Sequence, residues 1–570
     1  LFKGFTFTSR FGYRINQSTS HSYTAPYYIG PRGSQDNYSI SASASTGYYY
    51  QWENFANYNV TIAKKHSISA MAGMSYRQTN SDGVNASASG PDILRAYEDN
   101  FLYLNYVNDL TDTKKSFGNA PSVSASLAYY GRLIYTYDNR YSIQANFRAD
   151  AFDSSKLSKQ NRWGYFPSVS AGWTISNEKF IKDNVSRNAL SFLKLRASWG
   201  RNGNVNVLSG YRYNTTISLG GSWYQYGVDY AGSTQYGSAP NGISNPNLTW
   251  ETSEQIDLGL DARFLNNRLN FSVDYYNKMT KDLLFSANVV PELGVSSTTV
   301  NGGSVLNTGV ELELGWKDSV GDFSYSINGN FSFLHNEVLS FPEGSSSTRL
   351  TSTDASSTNY PIQTAFEPGY PVWYLRGFVY EGVDADGKPV MANLSGDEAG
   401  TIDDADMTYI GSGIPTYTYG LTVNLGYKGF DFVLYGAGQG GNHILPVLHR
   451  TGFTNTLNWY LEAAENGTYP HPSKTVGNYN FWSSTANLFK GDFFRIKQMQ
   501  LGYTVPARIT KKAAISNLRV FVSLDDFFTI TKYPGLDPET ASTNSTSGSG
   551  LDWGSYPTMQ KVLFGVNLTF

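Results

Sequence analysis

The chain has 570 residues, with 43 Lys and Arg against 46 Asp and Glu, a net charge of −3, no cysteine and an aromatic share of 15% that includes 43 Tyr and 33 Phe. Basic residues are scattered rather than clustered, so no nucleic-acid footprint is present, and the lack of Cys fits an exported protein that does without disulfides. No apolar run approaches the roughly 18 residues that a spanning helix needs, which excludes a helical membrane protein.

In chain order, the sequence opens within a strand-like run, Lys3 to Tyr13, with neither an initiator Met nor a signal peptide, and this predicts a preceding N-terminal part. Alternating segments predict strands near 3–14, 40–63, 66–78, 122–137, 140–152, 166–176, 190–200, 252–263, 268–278, 307–317, 321–334, 416–427, 430–438, 492–504, 517–527 and 558–570. Most are close to the 9–11 residues with which a tilted strand crosses an apolar layer. The clearest is Arg268 to Asn277, where Leu269, Phe271, Val273 and Tyr275 share one face and Asn270, Ser272, Asp274 and Tyr276 the other. Asp257 and Asp261 oppose Ile256, Leu258 and Leu260, and Glu311 and Glu313 oppose Val310, Leu312, Leu314 and Trp316. Carboxylates stacked on one face cannot point into lipid, so Asp257, Asp261, Asp274, Glu311 and Glu313 are expected to line an aqueous lumen.

The connections alternate in length. Tight turns are expected at Lys64-Lys65, Asp138-Asn139, Leu265 to Asn267, Asp318 to Val320 and Lys428-Gly429. Long polar loops fall near 15–39, 79–121, 201–251, 279–306, 335–415, 439–491 and 528–557, the pattern of periplasmic turns and extracellular loops. Asn177 to Ala189 and Pro506 to Ser516 predict short helices on the turn side. The last strand places Val562, Phe564, Val566, Leu568 and Phe570 on one face and Lys561, Gly565, Asn567 and Thr569 on the other, with Leu563 the one apolar residue there. Together these features predict an all-β transmembrane antiparallel barrel with Phe570 as its assembly signal.

Motifs for chemistry are sparse. Gly436 to Gly441 matches G-x-G-x-x-G but is not followed by a helix, so it reads as a flexible strand exit rather than a phosphate site. The six histidines are dispersed without zinc spacing, and no G-x-S-x-G occurs, so no enzyme is expected. The acidic stretch 384–406, with Asp384, Asp386, Asp403, Asp404 and Asp406, has the carboxylate density of a calcium loop without its offsets, so a solvated acidic loop is expected in place of a metal site. Aromatic residues outside the strands, Trp373, Tyr374, Trp459, Tyr460 and Trp482 with Tyr224, Tyr226 and Tyr230, are candidates for stacking on a sugar or gripping a peptide; a loop core is the competing use of such rings.

Several motifs resemble SusC/RagA-type TonB-dependent transporters. They are Asn245 to Glu251 (N-P-N-L-T-W-E) with Asp274 to Lys278, Asn301 to Glu311, Phe166 to Trp173, Tyr409 to Gly411 with Pro415, Tyr417, Tyr419 and Gly420, Phe494 to Tyr503, and Tyr533 to Gly535 with Asp537 to Glu539. The resemblance implies a barrel of 22 strands with an N-terminal plug, a TonB box coupling it to the TonB complex, and a SusD-like surface lipoprotein as lid. It also implies paired transporter–lid complexes and cargo of glycan oligosaccharides first and oligopeptides second. The chain shows about sixteen strands and no plug or TonB box, so it is expected to be the C-terminal barrel portion of an outer-membrane importer. By strand counting, 201–251 would be the hinge loop toward the lid. A complete 16-stranded passive porin and a barrel-embedded hydrolase are the alternatives.

Overall fold

The computed structural model describes residues 3–30, 33–91, 104, 114–119, 121–153, 155–208, 210–218, 225–226, 235–236, 238–240, 242–289, 292, 297–341, 349–352, 363–396, 400–447, 479–541 and 548–570. Seventeen strands belong to one large antiparallel sheet. They are β1 (Phe5–Thr24), β2 (Asn37–Ile62), β3 (His66–Pro91), β4 (Lys114–Asn119), β5 (Ser122–Tyr137), β6 (Tyr141–Phe152), β7 (Trp163–Thr174) and β8 (Leu190–Asn204). There follow β9 (Glu251–Phe264), β10 (Leu269–Lys281), β11 (Ser304–Val320), β12 (Phe323–Ser340), β13 (Tyr417–Tyr427), β14 (Phe430–Gly440), β15 (Phe493–Thr504), β16 (Asn517–Thr531) and β17 (Lys561–Thr569). Contacts divide the chain into one unit of 1–138, 144–168 and 203–250 and a second of 139–143, 169–202 and 251–570.

The one strand beyond the expected sixteen does not add a position to the ladder. Val84 of β3 lies opposite Asn119 of β4, and Ser81 lies opposite Ser122 of β5, so β4 and β5 run along the same neighbour in one register. Pro121 sits between them, and its missing N–H interrupts the ladder without shifting it.

In the first unit the strands extend well past the expected limits. β1 to β3 span 20, 26 and 26 residues, so most of the expected loop 15–39 and the 79–91 part of the expected loop 79–121 are paired strand. Small polar side chains explain the difference: Gln17 to Ser22 and Ser81 to Ser89 hold a single large apolar side chain, Val84, which is too little to mark a period. Tyr38, Ile40 and Ala88 are buried together at their far end, against Tyr23 and Leu104. The N-P-N-L-T-W-E segment is held by packing, with Leu248 and Trp250 buried. The Trp250 ring lies 5.6 Å from that of Phe152 and 5.4 Å from that of Phe166, and its indole N–H donates to the Arg162 carbonyl at 3.2 Å.

In the second unit the alternation holds as expected. Leu258 lies opposite Tyr275, which lies opposite Val310, while on the other face Asp261 meets Ser272 and Ser272 meets Glu313. The apolar rows are exposed, with Leu258 53%, Leu314 55%, Val566 60% and Phe564 82% accessible. A continuous apolar face of this kind is incompatible with water and is what a hydrocarbon surrounding requires.

The turns are set by backbone handedness. At Lys428-Gly429 both residues have positive φ, +46° and +88°, and Tyr427 pairs with Phe430, which makes a two-residue turn matching the strand twist. The turn expected at Asp318 to Val320 lies instead at Gly321-Asp322, where Gly321 supplies φ +59°. Short helical turns occupy Ile175–Asn177, Lys179–Lys182, Ala507–Thr510 and Lys511–Ala513, as the sequence led one to expect.

The G-x-G-x-x-G run is not a flexible exit. Gly436 and Gly438 continue β14, and a Cβ on Gly436 would collide with the Phe494 ring. Phe494 in turn stacks on Tyr419 at 5.8 Å and 3°, so the glycine makes room for an aromatic pair on the sheet.

The Tyr533 to Glu539 motif anchors a loop onto β15 and β16. Arg495 donates to Asp537 at 2.6 Å and to Glu539 at 2.7 Å, and the side chains of Arg495 and Asp537 are 4% and 2% exposed. Burial alone would raise the Asp537 carboxyl, but hydrogen bonds from Thr558 N–H, Arg495 and Glu539 N–H outweigh it and hold the group below the usual range. A lowered carboxyl stabilises the folded state above its ordinary pKa of about 4 and loses that contribution as pH falls through the lower folded value. Limited proteolysis of 533–558 should therefore give one pattern at pH 7 and pH 5 and open only in stronger acid. Arg495→Leu should open it at pH 7, since an unpaired buried carboxylate costs about 3–5 kcal/mol.

Candidate functional site

The polar face of the second unit is organised by a residue that the strand pattern did not single out. Arg196 of β8 donates through Nε to Asp261 at 2.8 Å, and through its terminal nitrogens to Asp261 and Asp274 at 2.9 Å each. Ser272 adds a hydrogen bond to Asp261 at 2.9 Å. One guanidinium thus spans three strands with the forked geometry that suits carboxylates. Asp257 accepts from Ser198 at 3.0 Å and from Gln255 at 2.7 Å. Further along the strands, Glu254 bonds Arg201 and accepts from Lys281 at 2.9 Å.

The five expected lumen carboxylates share this face but fall into two classes. Asp257, Asp261 and Asp274 are committed to neighbouring side chains, whereas Glu311 and Glu313 are exposed and, among the described residues, have no ion-pair partner. Glu311 stands opposite Asp274 in register. The signal for Arg196 was present, since Lys194 and Arg196 alternate with Leu193 and Leu195. Its pairing was not, because Asp261 and Asp274 lie 65 and 78 residues away.

The loop aromatics resolve differently from the stacking role considered for them. Tyr374 and Trp482 are 2% and 9% exposed, and neither offers a free ring face. Trp482 packs with Phe378, Met391, Met407 and Phe481 in one loop core. Trp373, with φ +52°, is half-buried against Phe366 at 5.7 Å in another. Trp459, Tyr460, Tyr224 and Tyr230 lie outside the described residues, and of Tyr226 only the backbone is described.

These cores support a small sheet of Leu350–Ser352, Gln363–Phe366, Tyr374–Gly377 and Thr408–Gly411. On it Tyr370 and Tyr409 are 37% and 40% exposed and stack at 5.8 Å and 24°. Tyr374 lies beneath, 4.8 Å from Tyr370 and 5.5 Å from Tyr409. Its hydroxyl donates to Glu367 at 2.7 Å, and burial together with that bond pushes its pKa up. Two exposed rings packed against a buried third form an aromatic cluster at the surface.

In the acidic stretch Asp384, Asp386, Asp403 and Asp404 are exposed, as a solvated loop would have them, while Asp404 and the buried Asp406 also brace this sheet. Arg376 is buried and donates to the Asp404 carboxylate at 2.9 Å and to its carbonyl at 2.6 Å. The Arg376 guanidinium holds the Asp404 carboxyl below its usual range. Asp406 is fully buried, accepting from Ser395 N–H at 2.8 Å and Asp403 N–H at 3.0 Å, and Asp384 accepts from the backbone N–H of Asp386 and Lys388.

Removing the organising cation should be felt at once. Arg196→Met would leave Asp261 and Asp274 facing each other, and the temperature at which unboiled protein loses its compact migration on a gel should fall. A stability loss of about 1–3 kcal/mol is expected, less than for a fully buried pair because about a third of Arg196 stays wet. Arg196→Met with Asp274→Asn should recover part of it.

Residues 2–525 match the family described as TonB dependent receptor-like, beta-barrel. TonB-dependent receptor P3 of Formosa agariphila is 30% identical over 550 residues, covering 91% of this chain and 52% of that protein. TonB-dependent receptor SusC of Bacteroides thetaiotaomicron is 31% identical over 457 residues, covering 78% of this chain and 44% of that protein. The chain spans about half the length of the curated relatives it matches. Among solved structures, the RagAB peptide transporter superposes with a TM-score of 0.82 at 24% identity, over 100% of this chain and 60% of that one. The chain belongs to the TonB-dependent receptor-like β-barrel family of the outer membrane.

Proposed function

We propose that the chain forms the C-terminal barrel portion of a TonB-dependent importer of oligomeric nutrients, working with a SusD-like surface lipoprotein. The observation that carries this reading is the division of one sheet into an exposed apolar face and an ion-paired polar face, together with stacked tyrosines on a loop sheet. An exposed apolar face suits strands in lipid, and an ion-paired polar face suits a wet interior. Glu311 and Glu313, left without ion partners among the described residues, are available to a plug or to cargo. No bond need be made or broken: the loops bind an oligomer, the lid covers it, and force from TonB on a plug opens the path.

For the cargo, Tyr370 and Tyr409 favour glycan oligosaccharides, since flat rings with hydroxyl tips suit sugar faces. Oligopeptides are the second reading, supported by likeness in fold to the RagAB peptide transporter. A calorimetric titration of the whole transporter–lipoprotein complex with oligosaccharides and with peptides separates them. Tyr370→Ala with Tyr409→Ala should weaken the true cargo about tenfold or more, taking about 0.5–1.5 kcal/mol per ring pair beyond lost contact area. Unchanged affinity for every cargo would remove these rings from the site. Family membership favours gated import over the passive porin, and uptake that survives collapse of the proton gradient would reverse that preference.

The hinge role proposed for 201–251 needs a narrower test than deletion of the whole loop. Val205, Leu208, Leu248 and Trp250 are buried, so their removal would damage the first unit. Deleting 219–234 alone should abolish capture of the lipoprotein in a pull-down; undiminished capture would refute the hinge assignment.

A further inference from the structure

The apolar face of the second unit contains a groove of about 700 Å³. It arises from two side chains. Along β7, Val169, Ala171 and Trp173 occupy one face, and along β8 Leu195, Ala197 and Trp199 do. The alanines dip where their neighbours rise, and Tyr141, Trp173, Leu258 and Tyr275 wall the depression. The volume falls within the roughly 300–1,000 Å³ of small-ligand sites, and the lining is almost wholly apolar.

The end of the groove nearest the short turns is built from interlocked polar groups. The Trp173 indole N–H donates to Glu178 Oε1 at 3.1 Å, and Arg140 donates to Glu178 Oε2 at 2.8 Å. Arg140 lies over the Tyr141 ring at 5.5 Å, and Tyr141 stacks on Trp173 at 6.4 Å and 15°. This closed set neutralises Arg140 and fixes both rings. The residues that follow Glu178 are exposed Lys179, exposed Phe180 and, one residue on, exposed Lys182. Among the described residues neither lysine has an ion-pair partner. An apolar slot that ends at fixed aromatics, with two exposed lysines one and four residues beyond Glu178, is complementary to an amphiphile with an anionic head.

We propose that this groove is a specific site for one phospholipid of the periplasmic leaflet, with an acyl chain lying over Ala171 and Ala197 and the phosphate facing Lys179 and Lys182. The assignment rests on the membrane placement proposed above.

The whole protein, purified from outer membranes in mild detergent and delipidated, is titrated with phosphatidylglycerol and followed by native mass spectrometry. Wild type should take up one lipid per chain before nonspecific adducts appear. Ala197→Phe, which fills the groove, should lose that first adduct, and Lys179→Glu with Lys182→Glu should lose it while leaving the apolar slot intact. Equal lipid uptake by wild type and both variants overturns the proposal, as does a change from dimer to monomer in Ala197→Phe with lipid uptake retained. Flotation of each protein with outer-membrane vesicles is the control. A wild type that does not float refutes the membrane placement itself, whereas floating proteins with indistinguishable lipid binding refute only the groove.

Discussion

A backbone amide in hydrocarbon has no water to fall back on, and that constraint governs this chain from end to end. Each strand must give its N–H and C=O groups to a neighbour, so the sheet is antiparallel and its hairpins are tight on one side. Side chains then divide by pleat. Leu258, Tyr275 and Leu314 go to one face because hydrocarbon accepts them, and Asp261, Asp274 and Glu313 go to the other because it does not.

The same constraint explains where charge is concentrated. Carboxylates on the polar face of a large sheet repel one another across strands only a few ångströms apart, and a cation from a third strand relieves the strain. Arg196 does this for Asp261 and Asp274, and Arg519 bonds Asp431 in a comparable way on β16 and β14. On β15 and on the small loop sheet, Arg495 and Arg376 use the same chemistry in drier surroundings to fasten loops, so the motifs around Asp537 and Asp404 act as joints.

Much of this was legible in the sequence wherever alternation was strong. Arg268 to Asn277 announced its two faces residue by residue, and the pairing partner of each carboxylate row followed from adjacent hairpins. The far halves of β1 and β3 were not legible, because a strand of small polar residues has no hydrophobic period, whereas that of β2 was read as strand from residue 40. For Trp373, Tyr374 and Trp482 the sequence left stacking and a loop core as competing uses, because a ring on a long loop looks available until the loop is seen to build its own core. Tyr370 and Tyr409 carried no stronger sequence signal than those three, and only the packing separates exposed from enclosed.

The long first hairpins carry a consequence for how the sheet is made. Pairing of Ser41 to Gly47 with Ser81 to Ser87 joins side chains so alike that they barely fix a register among themselves. Bulky residues nearer the short turns, such as Trp52 opposite Tyr76 and Tyr58 opposite Ala70, permit only one alignment. Zipping upward from the Lys64 turn would carry the register to this stretch, where Tyr38, Ile40 and Ala88 then close it. The order of assembly is thereby written into the gradient of side-chain size along each hairpin.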